Sequence, residues 1–462
     1  MLCAACGSRL SHQQLVSGEQ HSVVHVGGSG GTAPMSGTVV PTTAATAPSS
    51  GSGSGSGSGA GSGSGAGSTA AGSGTGAGTA TTSSTSGATA PTPAACTRSL
   101  APINIGTLGE YSGIFGPIFA PMAQMVQAWA TSVNAQGGIG CHPVKYFVED
   151  DGGDPSLDQS EAQTLVEQDH VIALVQESAP LAGSASVSYL TAHRIPVIGS
   201  EGGSDWFYQT PTFFPQSSSG LSVFKAFVAA DATYGLPLHK TRFATLSCIE
   251  AELCSKLYSL APQLAKDVGL NLVYRGQASL TAPDFTSNCQ AAKKAGAQIL
   301  FIGLDTNSIE RVMTNCNSVG YHPTFSTGGS LATPALLKFP LAEGSVFTSA
   351  TIPFVDTNNA QVSAMDDVLR RYAPGVPPSA ASMAGWVSAQ IFQAAAQHLS
   401  AIPTNTDILN GLWRIRHNDF GGTTYPLTFT RNKLTKRRTC YWVVAAHNGT
   451  YVNVGNGRLH CL

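Results

Sequence analysis

The chain has 462 residues, with 24 Lys and Arg against 26 Asp and Glu, for a formal net charge of −2. That balance excludes an electrostatic nucleic-acid surface, and the densest basic cluster, Lys436, Arg437 and Arg438, reads as a solvated loop. Beyond the N-terminal tail, no segment has the roughly 18 charge-free apolar residues of a membrane-spanning helix.

The chain begins Met1-Leu-Cys-Ala-Ala-Cys6-Gly-Ser-Arg. Small residues before a Cys, with Gly-Ser after it, are similar to the end of a bacterial lipoprotein signal. Cys3 stands where that pattern has Leu, and its basic and apolar regions are missing. The expectation is a start upstream, a lipid on Cys6 and residues 1–26 as an N-terminal tail. The alternative is a chance Cys-x-x-Cys in a disordered tail. Residues 27–95 are almost wholly Gly, Ser, Thr, Ala and Pro. Such a stretch cannot bury enough surface to offset its ordering entropy, so a flexible, disordered linker is expected. Roughly 365 residues remain, too many for one ordinary core and suited to two lobes.

From residue 102 onward, short apolar runs alternate with longer amphipathic ones. Residues 103–108 read as a strand. Met122, Met125, Val126, Trp129 and Val133 follow at helical spacing, a stripe ended by Gly137-Gly138. A strand at 143–148, a helix over 158–169, a strand at 171–175, a helix over 183–193 and a strand at 195–198 complete the first unit. The alternation then restarts. Helices over 219–233, 252–267, 286–295 and 307–319 lead to strands at 242–247, 271–274, 298–303 and 323–325. An apolar strand near 345–352, helices over 359–372 and 382–399, and a β-rich end from 425 to 462 follow. Strand–helix alternation with nearly continuous apolar strands predicts an α/β chain with two Rossmann-like lobes, each a parallel sheet covered on both faces.

Ten cysteines are present. Cys3 and Cys6 precede the linker, and Cys96, Cys141, Cys248, Cys254, Cys289, Cys316, Cys440 and Cys461 follow it. An even number in the globular part fits an oxidising compartment. Eight cysteines allow about 105 pairings; their grouping into sequence neighbours suggests 96–141, 248–254, 289–316 and 440–461. No Cys or His pair there sits at zinc spacing, so no metal site is expected.

Four stretches together carry a family likeness: Ile105-Gly-Thr-Leu-Gly-Glu-Tyr-Ser-Gly113; Asn134-Ala-Gln-Gly-Gly-Ile139 with Val148-Glu-Asp-Asp151 and Asp154-Pro155; Ile195-Pro-Val-Ile-Gly-Ser200; and Asp284-Phe285 with Ala295-Gly-Ala297 and Val319-Gly-Tyr321. In this order and spacing the globular part resembles the type I periplasmic binding proteins of ABC importers, specifically the branched-chain amino-acid-binding group. The resemblance implies two lobes joined by a three-crossing hinge near 218, 350 and 424. One lobe would hold 100–218 plus 350–424, and the other 219–349 plus 425–462. It also implies a cleft that closes over a small polar molecule, an amino acid or a related amide or acid, for an ABC permease.

In open α/β sheets ligands bind beyond the carboxyl ends of strands. The first-lobe candidates are therefore Tyr111, Ser112, Ser178, Ala179, Ser200, Gly202, Gly203 and Trp206. In the family, residues after the third and fourth strands grip the ligand carboxylate through hydroxyls and amides, and Ser178, Ala179, Gly202 and Gly203 match those positions. Ser178 and Ser204 can equally be plain helix caps. Glu250, Asp305 and Gly329 are the second-lobe candidates. The sequence departs from the family in having Gly328-Gly329 where amino-acid binders place a carboxylate. Glu250 or Asp305 would replace it, or the ligand has no ammonium, and Asp305 can be a helix cap. Tyr111, Phe115, Trp206 and Phe207 offer aromatic walls, with core or lobe-surface packing favoured for Phe115 and Phe207.

No catalytic constellation stands out. Gly27-Gly-Ser-Gly-Gly31 lies inside the linker without strand–turn–helix context, and Walker A and HExxH motifs are absent from the sequence. Glu149, Asp150, Asp151 and Asp154 read as a solvated turn ahead of a Ca²⁺ site or an acid/base pair. The expectation is a non-enzymatic, cofactor-free solute receptor. It would be exported to the cell envelope, held by lipid on the outer side of the cytoplasmic membrane, and monomeric. The alternatives are a sensing module that reports to a signalling partner, and an enzyme on the same scaffold.

Overall fold

The computed structural model describes Cys96, residues 98–218 and residues 220–462. Cys3, Cys6 and residues 27–95 lie outside the described residues. Two sheets organise the globular part.

The first sheet holds β1 (Ile103–Gly109), β2 (Val144–Asp150), β3 (Leu174–Glu177), β4 (Val197–Ser200) and β5 (Phe213–Phe214), all parallel in the order β2-β1-β3-β4-β5. Its strands are buried almost throughout, as a parallel sheet covered on both faces requires. On one face lie α1 (Gly116–Ala135) and, from far along the chain, α9 (Ala360–Tyr372), α10 (Ala380–Ala395) and α11 (Asn405–Leu412). The other face is covered by α2 (Pro155–Glu167) and the short α3 (Val187–Ala192). Asp154 starts α2 by accepting hydrogen bonds from the Ser156 and Leu157 amides, with Pro155 at the first helical position. In α11, a Cβ on Gly411 would sit 1.8 Å from the Ala395 carbonyl oxygen, so only glycine permits this approach to α10.

The second sheet repeats the topology. It is built from β6 (Arg242–Ser247), β7 (Asn271–Gln277), β8 (Ile299–Gly303), β9 (Thr324–Gly328) and β10 (Val346–Ser349), parallel in the order β10-β9-β8-β6-β7. Its helices are α4 (Leu221–Gly235), α5 (Glu252–Asp267), α6 (Thr286–Lys294), α7 (Thr306–Ser318) and the short α8 (Pro334–Leu337). β11 (Cys440–His447) joins β10 antiparallel, and β12 (Thr450–Asn453) and β13 (His460–Cys461) pair with β11. Two lobes with the same strand order give the two-lobed α/β fold.

The end of the chain departs from expectation. Residues 425–439 form no strand. Leu427 and Phe429 bury in the first lobe, Phe429 edge-on to Phe214 at 5.0 Å, so the third crossing is the run 430–439. The basic cluster in that run is not simply solvated. Arg437 pairs with Asp205 and covers the Tyr208 ring at 4.3 Å. The expected helix over 183–193 is shortened to Val187–Ala192, because Asp158 and Gly183 hold Ser186 in the preceding turn.

All four neighbour pairings form: Cys96–Cys141, Cys248–Cys254, Cys289–Cys316 and Cys440–Cys461. The third ties α6 to α7 across a sequence separation of 27. Loop-closure entropy makes such a link worth about 3 kcal/mol. Cys289→Ala/Cys316→Ala should therefore lower the unfolding free energy in urea by about that amount. An unchanged midpoint would contradict it.

Candidate functional site

The strand order of each lobe reverses between its first and third strands, at β1/β3 and at β6/β8. Loops leaving those strands part there and open a crevice at the carboxyl edge. The carboxyl edges of the two sheets face one another across a space lined by residues of both lobes. The first lobe contributes Phe115, Ile118 and Phe119 from α1, Pro180 after β3, and Glu201, Gly202 and Gly203 after β4. The second contributes Val223 and Phe227 of α4, the Cys248–Cys254 bridge, Ala251, Leu253 and Leu257 beside it, Leu280, Phe301 and Leu304. Thr327, Gly328, Ser330 and Leu331 complete that wall.

The wall is overwhelmingly apolar. Phe115 stacks on Phe119 at 5.5 Å, and Phe227 on Phe301 at 5.1 Å. Gly328 packs beside the Phe227 ring, where a Cβ would make ordinary van der Waals contact at 3.4 Å. The lobes meet around this space. A hydrophobic cluster of the second lobe continues through Ile118, Phe119 and Met122 of α1, and a Cβ on Gly203 would lie 3.1 Å from Leu253. Lys256 of α5 reaches Asp205 of the first lobe at 3.3 Å. Burial would raise the Asp205 carboxyl, but hydrogen bonds from Arg437, the Leu221 amide and Lys256 together hold it below its ordinary value.

The candidate residues divide sharply. Gly202 and Gly203 line the cavity, and Gly329 lies between the lining residues Gly328 and Ser330, packed on the Thr348 carbonyl. Tyr111 does not reach the cavity. Its ring is buried and its hydroxyl bonds Thr107 at 2.6 Å and the Gln176 carbonyl at 3.2 Å. Ser112 is exposed, its amide donating to Asp150 at 3.2 Å. Ser178 is fully buried against Gln176 and Met122, and the Ala179 carbonyl accepts from the Gly183 amide. Ser200 is buried, accepting from the Gly202 amide at 3.2 Å. Trp206 packs against Phe207 and Phe213 instead of forming a wall.

In the second lobe, Asp305 caps α7 through the Asn307 and Ser308 amides. Glu250 braces the loop after β7, accepting from Ser279 at 2.6 Å and the Leu280 amide at 2.9 Å. Those donors outweigh partial burial and hold the Glu250 carboxyl below its ordinary value. Phe115, expected to pack in the core or on the lobe surface, lines the cavity. Phe227, Leu257 and Phe301 were not anticipated, because their helical and strand spacing is that of ordinary core positions.

Behind the first-lobe wall stands a shell of carboxyls. Glu110, Asp151, Asp158 and Glu177 are buried, and both Glu177 oxygens lack a hydrogen-bond partner among the described residues. Glu149, Asp150 and Asp151 are buried too, not solvated, whereas Asp154 is the helix cap already described. Burial first, then mutual repulsion, pushes Glu110 up to about 8 and Asp151 up to about 7. Burial lifts Asp158 to about 6 against the donors from Ser186, and raises Glu177 and Glu201 as well. Among the described residues, no group of three or more His, Cys, Asp or Glu could hold a metal ion.

A family model for periplasmic binding proteins matches residues 102–450. The chain belongs to the periplasmic binding protein family. The chain is thus a solute-binding protein, and the family works outside the cytoplasm. Among solved structures, the fold is similar to a fatty acid ABC transporter substrate-binding protein from Thermomonospora curvata (TM-score 0.65, 16% identity, 77% of this chain and 91% of that one). It is similar to a branched-chain amino acid ABC transporter protein from Thermus thermophilus with bound valine (0.66, 15%, 77% and 96%). It is also similar to a solute-binding protein of an ABC transporter from R. palustris in complex with benzoate (0.64, 14%, 78% and 97%). At these identities the likeness is one of fold. No curated protein matches the sequence. Among the described residues, no helix is long and apolar enough to cross a membrane.

The carboxyl shell makes a pH prediction. Folded values of about 6 to 8 at Asp158, Asp151 and Glu110 lie above those of an unfolded chain, so the folded state binds more protons. The resulting stabilisation is fully present below about pH 4 and is lost as pH rises through the folded values. The melting temperature should be several degrees higher at about pH 5 than at about pH 8.5. An equal or higher value at the alkaline pH would contradict this.

Proposed function

We propose that the protein is the extracytoplasmic receptor of an ABC importer, capturing a small molecule with an apolar body and one polar end between its lobes. The supporting observation is the apolar space between the carboxyl edges of two like sheets, with Glu201, Gly202 and Gly203 at one wall. Valine, benzoate and fatty acids, named with the structurally similar proteins, all combine an apolar body with a polar head. Binding shifts an open–closed equilibrium by the contacts made only when both lobes engage the guest. No bond is made or broken, so the protein is not an enzyme.

The same reading has residues 7–95, including the Gly- and Ser-rich stretch 27–95, as a tether from a lipid on Cys6, and a monomer as the working unit. One lobe comprises 100–218 with 350–429 and the other 219–349 with 440–462, joined through the 430–439 crossing, since Leu427 and Phe429 bury in the first lobe. Gly202, Gly203 and Gly329 are the retained ligand-facing backbone positions.

The test is mass spectrometry of the compound that co-purifies with the full chain, followed by titration of that compound. Leu257→Trp, which fills the second-lobe end of the cavity, should weaken its binding by at least about tenfold while the cognate permease loses ligand-stimulated ATP hydrolysis in proteoliposomes. Unchanged affinity in Leu257→Trp would refute the assignment of the cleft.

A further inference from the structure

Resting on the reading of this cleft as the solute site, we infer that the polar head it accepts is an amine, held by Glu201, and not a carboxylate. The turn after β4 spends its donors on the chain itself. The Glu201 Oε1 atom accepts from the Gly203 amide at 3.1 Å, the Ser204 amide at 2.7 Å and the Ser204 hydroxyl at 2.5 Å. The Gly202 amide donates to Ser200. An internal carboxylate thus fills the turn that would otherwise receive an anionic ligand. The Ser178 hydroxyl is equally committed, buried between Gln176 and Met122.

What the wall offers instead is an acceptor. The Glu201 Oε2 atom is buried and lacks a hydrogen-bond partner among the described residues. Glu201 is the ionisable side chain of the lining, and no Lys, Arg or His is among the described lining residues. Lys256 and Arg437 are committed to Asp205. The second-lobe carboxylates Glu250 and Asp305 are consumed by the β7 loop and the α7 cap.

Electrostatics point the same way. The Glu201 carboxylate opposes ionisation of Glu110 and Glu177, which lie close behind it. A ligand carboxylate beside an ionised Glu201 meets like charge. An ammonium meets opposite charge and gives Oε2 its missing donor, a charge-assisted hydrogen bond. The apolar body then extends toward Phe227, Leu257 and Phe301 in the second lobe.

The experiment is calorimetric titration of the full chain with n-hexylamine, n-hexanol and sodium hexanoate, which share one tail and differ in the head. The amine should bind at least about tenfold tighter than hexanoate. Glu201→Gln should cut amine affinity by at least about tenfold while leaving hexanol within about twofold, which also shows that the variant keeps its cavity. Hexanoate binding as tight as the amine, or amine affinity untouched by Glu201→Gln, would overturn the head-group assignment. If Leu257→Trp still blocks that acid-selective binding, the cleft reading survives alone. Absence of binding by all three probes overturns both.

Discussion

A parallel sheet sealed on both faces by helices leaves its carboxyl edge as the place where backbone and loop side chains can meet a solute. This chain builds that arrangement twice, in the same strand order, and faces the two edges toward each other. Everything that bears on function is a consequence. The strand-reversal points open the crevice, the short loops after β1, β3, β4, β6, β8 and β9 furnish its walls, and the helices supply rigid backing. Because α9, α10 and α11 return to the first lobe before β11 completes the second sheet, the chain crosses between lobes three times. That is the anatomy of a hinge.

Much of this was legible in the residues. The continuous apolar runs gave the parallel strands, and the stripe from Met122 to Val133 gave α1, because burial on both faces of a sheet leaves little choice of residue type. Disulfide partners could be read from the sequence because each bridge joins two cysteines that are consecutive in the order of cysteines along the chain. The loops after strands were legible too, and Gly202 and Gly203 do face the cleft.

The side chains within those loops were harder. Gln176 adopts φ of 64° inside β3, and Ser178 two residues on is buried against Gln176 and Met122, which no residue type announces. Tyr111 is drawn under the sheet by Thr107, and Asp305 serves its own helix. Conversely, Phe227, Leu257 and Phe301 repeat with the same period as true core residues, so spacing alone cannot tell a cavity wall from a packed interior. The cluster Glu149–Asp151 has the composition of a wet turn. Only the fold reveals that α2 covers it and that the chain tolerates a buried carboxyl shell.

That shell and the apolar chamber define the chemistry of the cleft between them. One wall carries buried carboxyls close behind an otherwise apolar surface, and the other is a greasy recess stapled by Cys248–Cys254. Closure brings the two together, with Asp205 bonded to both Lys256 and Arg437 where lobe and hinge meet. The most direct measurement is a crystal structure of the protein loaded with its co-purifying compound. The compound should lie enclosed between the lobes, its polar end at Glu201 and its apolar body against Phe227 and Phe301. Density for it on the outer surface of one lobe, with the space between the sheets left to solvent, would contradict the central claim.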